Sequence, residues 1–170
     1  SSHESNKGLR NQKNPTQPRT TKNLLKILRD VKLFATDVDG VLTDAGMYYG
    51  ESGEELKKFH TRDGMGIKLL QAEGVITAII TMENTKIVER RGMTLGIPEI
   101  WQGAKNKVAV LSHLSEKYGI SYQHMAYIGD DVNDVEALMT VGYASAPADC
   151  VKQVRRVVHY VCKKNGGEGA

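Results

Sequence analysis

The apolar run Val31-Lys32-Leu33-Phe34-Ala35-Thr36 ends abruptly in two carboxylates one residue apart, Asp37 and Asp39, with Gly40 directly behind them. Such a run reads as a buried strand. Buried charges need a partner or an exit to solvent, so a strand delivering two acids must end at an open sheet edge. Every other element of the chain has to be consistent with a sheet built around that strand.

The sequence that follows supplies one. Val75 to Thr81 (VITAIIT) is a continuous apolar, β-branched run of the kind a strand covered on both faces requires. Between the two strands, Met47 to Tyr49 and Leu56 to His60 flank the turn-forming Glu51-Ser52-Gly53-Glu54, which predicts a β-hairpin. Because it leaves directly from the acidic strand end, the hairpin is expected above the carboxylates as a flap. Asp63 and Gly64 then open a helix carrying Ile67, Leu69, Leu70 and Ala72, stopped at Gly74, and a second helix runs from Thr85 to Leu95 with Gly96 and Pro98 beyond.

The pattern repeats. Glu99 to Gln102 is a strand, Lys105 to Tyr118 a helix with Val108, Leu111 and Leu114 on its apolar face, and Met125 to Ile128 a strand entering Gly129-Asp130-Asp131. Val132 to Met139 is helical and Tyr143 to Ala146 a short strand; Val151 to Arg156 is helical and Val157 to Val161 extended. Strands alternating with helices predict an α/β, Rossmann-like fold: a mainly parallel sheet sandwiched by helices, with the hairpin flap. Ligands of such sheets gather at the carboxyl ends of the strands.

Charge is informative once located. Residues 1–32 hold eight basic residues and two acids, while the remainder holds 15 bases and 18 acids, so a net charge of +3 conceals a slightly acidic body. Nothing in the folded part argues for a nucleic-acid footprint, and no nucleic-acid partner is expected. Residues 1–20 are polar, basic and contain Pro15 and Pro18, so they are expected to be a disordered tail or linker, with one folded domain over 21–170. Thr21 is positioned to cap a short helix through Leu24, Leu25 and Leu28. The two cysteines, Cys150 and Cys162, make no disulfide framework and suit a reducing compartment. No apolar run approaches the roughly 18 residues of a membrane span, so a cytoplasmic protein is expected.

Four strand regions end in, or soon reach, polar groups: Asp37 and Asp39, then Thr81, then Lys107, then Asp130 and Asp131. Taken singly, Thr81 is an ordinary strand residue, Lys107 a solvated helix residue and Asp130 a turn residue. At the shared edge of a parallel sheet they converge. Three carboxylates in one crevice repel unless a cation sits among them, and hard oxygen ligands suit Mg²⁺. A lysine and a threonine hydroxyl are the parts for holding a phosphoryl group. An aspartate can then attack phosphorus, and a second can protonate the leaving alcohol and activate water.

These residues carry a resemblance. Asp37-Val38-Asp39-Gly40-Val41-Leu42-Thr43-Asp44 resembles the first motif of the haloacid dehalogenase superfamily of phosphotransferases, Thr81 its second, Lys107 its third, and Gly129-Asp130-Asp131 with Asp134 its fourth. GEELKKFHTRDGMGIKLL, IWQGAKNK, YIGDDVND and NGGEGA are similar to a small capless branch acting on 3-deoxy-D-manno-octulosonate 8-phosphate and nine-carbon ulosonate 9-phosphates. The resemblance implies a Mg²⁺-dependent phosphomonoesterase with an aspartyl-phosphate intermediate. Asp37 would be the nucleophile and Asp39 the acid/base. Asp37, the Asp39 carbonyl and Asp130 would hold the metal, and Thr81 and Lys107 the phosphate. It implies Arg62 facing the sugar-acid carboxylate. It also implies a homotetramer, in which the hairpin and the segment of Gly166, Gly167 and Gly169 from a neighbour close the site. Where octulosonate enzymes show Gly-Arg after the threonine, this chain has Met82-Glu83. A glutamate there is similar to the nine-carbon branch, making Glu83 a substrate contact, although that branch's lysine further along the helix corresponds here to Thr94. The competing reading is a non-catalytic oligomerisation module of the same fold, as fused to acylneuraminate cytidylyltransferases. A phospho-accepting receiver domain uses a similar residue set, but its acidic pair precedes the phosphorylated aspartate by a strand.

Overall fold

The computed structural model describes residues 26–53 and 55–170. The expected tail over 1–20 and the start of the helix expected from Thr21 lie outside them; residues 26–29 are helical. Strand β1 (Leu33–Thr36) is followed by the hairpin strands β2 (Tyr48–Tyr49) and β3 (Glu55–Leu56), then α1 (Thr61–Ala72), β4 (Ile76–Ile80), α2 (Lys86–Thr94), β5 (Glu99–Trp101) and α3 (Lys107–Tyr118). β6 (Met125–Ile128), α4 (Val135–Thr140), β7 (Tyr143–Ala146), α5 (Lys152–Arg155) and β8 (Tyr160–Val161) complete it. Among the described residues the hairpin is all that stands between β1 and α1, so there is no cap domain.

Six strands form one sheet in the order β5-β4-β1-β6-β7-β8, and every pairing is parallel. β1 lies at the centre, Thr36 opposite Ile79 on one side and Ile128 on the other. The chain builds outward through β4 and β5, then crosses back to β6. This reversal opens a crevice at the carboxyl ends of β1 and β6, the usual ligand position in such sheets. The Asp37 N–H donates to the Ile128 carbonyl at 3.1 Å, extending the ladder one residue into the acidic motif.

Each face of the sheet has its own core. Leu33, Ala35, Ile80 and Tyr127 meet Leu111 and Leu114 of α3 on one face; on the other, Val38 and Ile79 meet Ile67 of α1 and Val88 of α2. Fully burying a Leu or Ile side chain stabilises by roughly 1.5–3 kcal/mol, so these layers hold the strand ends rigidly. Among the described residues, no helix is long and apolar enough to cross a membrane.

Local differences from the sequence reading sit at element ends. α1 starts at Thr61 rather than Asp63, because the His60 ring accepts from the Arg62 N–H at 3.1 Å and caps it. α3 starts at Lys107 rather than Lys105, with Asn106 accepting from the Ala109 N–H at 3.0 Å. Its buried stripe is Lys107, Val110, Leu111 and Leu114. Residues Val132–Asp134 are a 3₁₀ turn capped by Asp131 ahead of α4. The second hairpin strand ends at Leu56 rather than His60, since Lys57 is drawn down to Asp39.

Candidate active site

The motif after β1 is shaped by Val38. Its side chain is fully buried in the second core, and its carbonyl accepts N–H bonds from Val41, Leu42 and Thr43 at 3.1, 2.8 and 3.1 Å. With Val38 pointing inward, its two neighbours must both face the crevice: the spacing of Asp37 and Asp39 is that of one buried residue between two outward ones.

Asp37 is 6% exposed. One oxygen accepts from the Val38 N–H at 2.7 Å and the other lies 3.1 Å from the Lys107 ammonium. Burial, reinforced by the charge of Asp134, pushes its pKa up to about 7 despite Lys107. Lys107, on the buried stripe of α3, also meets Asp134 at 2.6 Å. Asp134 is fully buried and completely engaged: one oxygen accepts from Lys107 and, at 2.6 Å, from the Tyr127 hydroxyl, the other from the Asp130 and Asp131 N–H groups at 3.0 and 3.3 Å. Burial and the Asp134 charge hold the Tyr127 phenol well above its ordinary pKa, so it remains a donor.

Asp130 differs. Its Oδ1 is buried with no hydrogen-bond partner, and burial, with the charges of Asp134 and Asp131, raises its pKa to about 7. Its carboxylate rests against Gly40, where an added Cβ would stand 1.8 Å from Asp130 Oδ2; Gly40 also has φ +83°. Gly40 is therefore needed to seat Asp130, a closer constraint than the chain turn alone. Asp37, Asp130 and Asp134 offer carboxylate oxygens all within 4.8 Å of one another. With Asp134 committed to four donors, Asp37 and Asp130 are the pair able to give oxygen to a cation. An orphaned buried carboxylate oxygen beside a second acid fits a hard divalent ion.

Asp39 does not join that cluster through its carboxylate. The two oxygens lie 2.8 and 2.7 Å from the ammonium of Lys57, and Thr43 Oγ1 donates at 3.1 Å. Lys57 is a site residue that sequence reasoning does not find, because in the strand pattern of GEELKKFH a lysine looks like a solvent-facing position. Thr81 is 1% exposed, two positions past Ile79 in the register beside β1, and its hydroxyl oxygen accepts from the Glu83 N–H at 3.2 Å. That leaves the hydroxyl proton for a ligand at the same edge. Glu83 is half-buried in this turn.

Arg62 is exposed and lines a different space, a cavity of about 460 Å³ under α1 bounded by Phe34, Ile67, Cys162 and Gly169, whose walls do not include Asp37, Lys107 or Asp130. The charged groups converge on the acidic cluster, and within a single chain Arg62 is not among the residues that meet there. The Gly-rich end packs on the chain's own acidic loop: Gly167 N–H donates to the Val41 carbonyl at 3.0 Å, and a Cβ on Gly166 would fall 1.9 Å from the Gly40 carbonyl oxygen.

Comparison with known proteins identifies the family. The family model of haloacid dehalogenase-like hydrolases matches residues 5–170. A 3-deoxy-D-manno-octulosonate 8-phosphate phosphatase of Escherichia coli K12 is 42% identical over 141 residues, 83% of this chain and 75% of the relative. The corresponding Haemophilus influenzae phosphatase is 38% identical over 143 residues, 84% of this chain and 79% of its own. Among solved structures, the Moraxella catarrhalis enzyme in complex with magnesium, phosphate and KDO superposes with a TM-score of 0.85 at 39% identity, covering 88% of this chain and 86% of that one. The cobalt-bound Haemophilus influenzae enzyme does so with 0.81 at 38%, covering 85% and 84%.

Proposed function

The chain belongs to the haloacid dehalogenase-like hydrolases, and from that premise we propose that it hydrolyses the phosphate monoester of an ulosonic acid, an eight-carbon 8-phosphate or a nine-carbon 9-phosphate. It is a phosphoric monoester hydrolase, and Mg²⁺ is its cofactor. The observation that carries the reading is the placement of Asp37, nearly buried, 3.1 Å from the ammonium of Lys107 and clustered within 4.8 Å of a carboxylate oxygen of Asp130, a residue with a buried oxygen that has no partner.

In this scheme Asp37 attacks phosphorus, the bond from phosphorus to the alkyl oxygen breaks, and Asp39 gives its proton to that oxygen. Water then attacks the phosphorus of the aspartyl-phosphate, Asp39 takes the water proton, and Asp37 is released. Asp37 and Asp130, with the Asp39 carbonyl, would hold the Mg²⁺. When bound, the ion offsets the charge of the acids and of the phosphoryl oxygens. Lys107, anchored by Asp134, and the Thr81 hydroxyl bind the phosphoryl oxygens in position. Glu83, half-buried beside Thr81, is assigned to the sugar chain, and Arg62 to the sugar-acid carboxylate in the assembled protein.

A homotetramer is part of the proposal, supported by the hairpin's exposed Met47, Tyr48, Tyr49 and Leu56. An apolar surface of this kind is usual where chains meet. The oligomerisation-module alternative is disfavoured by the completeness of the acidic set. A cytoplasmic location is proposed with it.

The test is a phosphate-release panel with and without Mg²⁺, comparing eight- and nine-carbon ulosonate phosphates. Turnover of one class with Mg²⁺ is expected, falling on the order of 10⁴-fold or more in Asp37→Asn. Undiminished turnover in that variant would refute the mechanism.

A further inference from the structure

Lys57 is a buried cation to which the reaction scheme assigns no task. Its side chain is 1% exposed, although it follows a two-residue strand of a largely exposed hairpin; its neighbour Lys58 is exposed. Taking an ammonium out of water costs several kcal/mol unless a close partner repays it. That partner is Asp39, met at 2.7 and 2.8 Å, one distance to each oxygen. Among the described residues, no other hydrogen bond ties residues 47–58 to the body of the protein.

We propose that Lys57 is a positioning residue for the reaction, holding the Asp39 side chain in the orientation from which, once it has taken up a proton from water, it passes that proton to the leaving oxygen. This rests on Asp39 being the acid. An aspartate carboxylate turns about two torsions, and Asp39 is 27% exposed, so nothing but its partners fixes its direction. Lys57 engages both oxygens and stops the second torsion; the hydroxyl of Thr43, fully buried, also donates to Oδ1 at 3.1 Å. Because Lys57 sits on the hairpin, seating the hairpin and aiming the acid are a single event. A flap that has lifted carries the clamp away with it, and Asp39 is aimed only when the flap lies over the site.

Leaving groups separate this role from a structural one. A sugar alkoxide must be protonated as its bond to phosphorus breaks, whereas p-nitrophenolate departs without a proton. kcat/KM reports the steps through formation of the aspartyl-phosphate, so it isolates this proton transfer. In Lys57→Met, kcat/KM for whichever ulosonate phosphate the parent protein turns over in the phosphate-release panel is expected to fall about 100-fold and that for p-nitrophenyl phosphate less than about 3-fold, with Lys57→Arg recovering the sugar phosphate to within about tenfold. Lys57→Gln is the second variant should Lys57→Met not fold, and the same selective loss is expected. Equal losses on both substrates, or no loss on either, overturn the proposal. Asp39→Asn is run alongside. A selective loss there without one in the Lys57 variants sinks the positioning role alone, whereas no selective loss in Asp39→Asn sinks the acid assignment on which it rests.

Discussion

Asp134→Asn tests whether the third acid of the cluster organises the site or ligates its cation. Asp134 is fully buried and accepts four hydrogen bonds, two on each oxygen. Asparagine keeps the shape but turns one acceptor into a donor. If the amide oxygen stays with Lys107 and Tyr127, its NH₂ confronts the N–H groups of Asp130 and Asp131, and both lose their acceptor. Leaving a buried donor unsatisfied costs about 1–3 kcal/mol, and breaking one side of a buried ion pair about 3–5 kcal/mol. Lys107 retains Asp37 at 3.1 Å, which offsets part of this. A net loss of about 4 kcal/mol corresponds to a fall in Tm of about 8–16 °C for a domain of this size. The assay is thermal unfolding in EDTA and again in excess Mg²⁺. An organising Asp134 gives the full drop in EDTA. A Tm within about 2 °C of the parent in EDTA, with a deficit appearing only when Mg²⁺ is added, would refute the reasoning and make Asp134 a metal ligand.

Gly40→Ala forces a methyl into the Asp130 carboxylate, at a backbone φ of +83° that itself costs about 1–2 kcal/mol. Mg²⁺ affinity measured by calorimetry should fall at least about tenfold, whereas displacement of the carboxylate by a full ångström without loss of affinity would contradict the assignment of Asp130. The pKa values of about 7 at Asp37 and Asp130 make Mg²⁺ binding compete with protons. Apparent affinity should rise about tenfold per pH unit for each proton displaced up to pH about 7 and level off above about 8; a flat profile from pH 5.5 to 8.5 would count against the cluster as the metal site. The sign for stability is opposite. Both pKa values are raised from an ordinary 3.8, so the metal-free folded protein retains protons that the unfolded chain releases. Stability in EDTA should be highest near or below pH 4, so far as these groups are concerned, and fall as pH rises to about 7. Urea titrations across that range, repeated with Mg²⁺, check it: added Mg²⁺ should reverse the loss at high pH.

The strands were legible because their chemistry is local. Met125–Ile128 and Tyr143–Ala146 fall where the residues place them, since a short apolar run next to a glycine leaves little choice of period or boundary. Helix starts moved by two residues at α1 and α3, because the caps are His60 and Asn106, and a cap is chosen by which side chain reaches back to a free N–H. Lys107 could have been found on stronger grounds than its motif position: it shares the i, i+3, i+4, i+7 stripe of Val110, Leu111 and Leu114, and a lysine on a buried stripe has to have a partner.

What the sequence by itself determined is the alternation that makes a parallel sheet, and the carboxylate pair, with one buried valine between, that such a sheet must present at its edge. Division of labour among the acids came only from tertiary structure. Asp130 and Asp134 look equivalent in GDDVND, yet one is saturated by Lys107, Tyr127 and two N–H groups while the other keeps a bare buried oxygen. Lys57 and Lys58 look equivalent in KKF, yet one is buried on Asp39 and the other faces solvent. The physical reason is common to both pairs. A charged side chain takes its role from its dielectric surroundings and its nearest opposite charge, and here those partners lie 18 and 27 residues away along the chain.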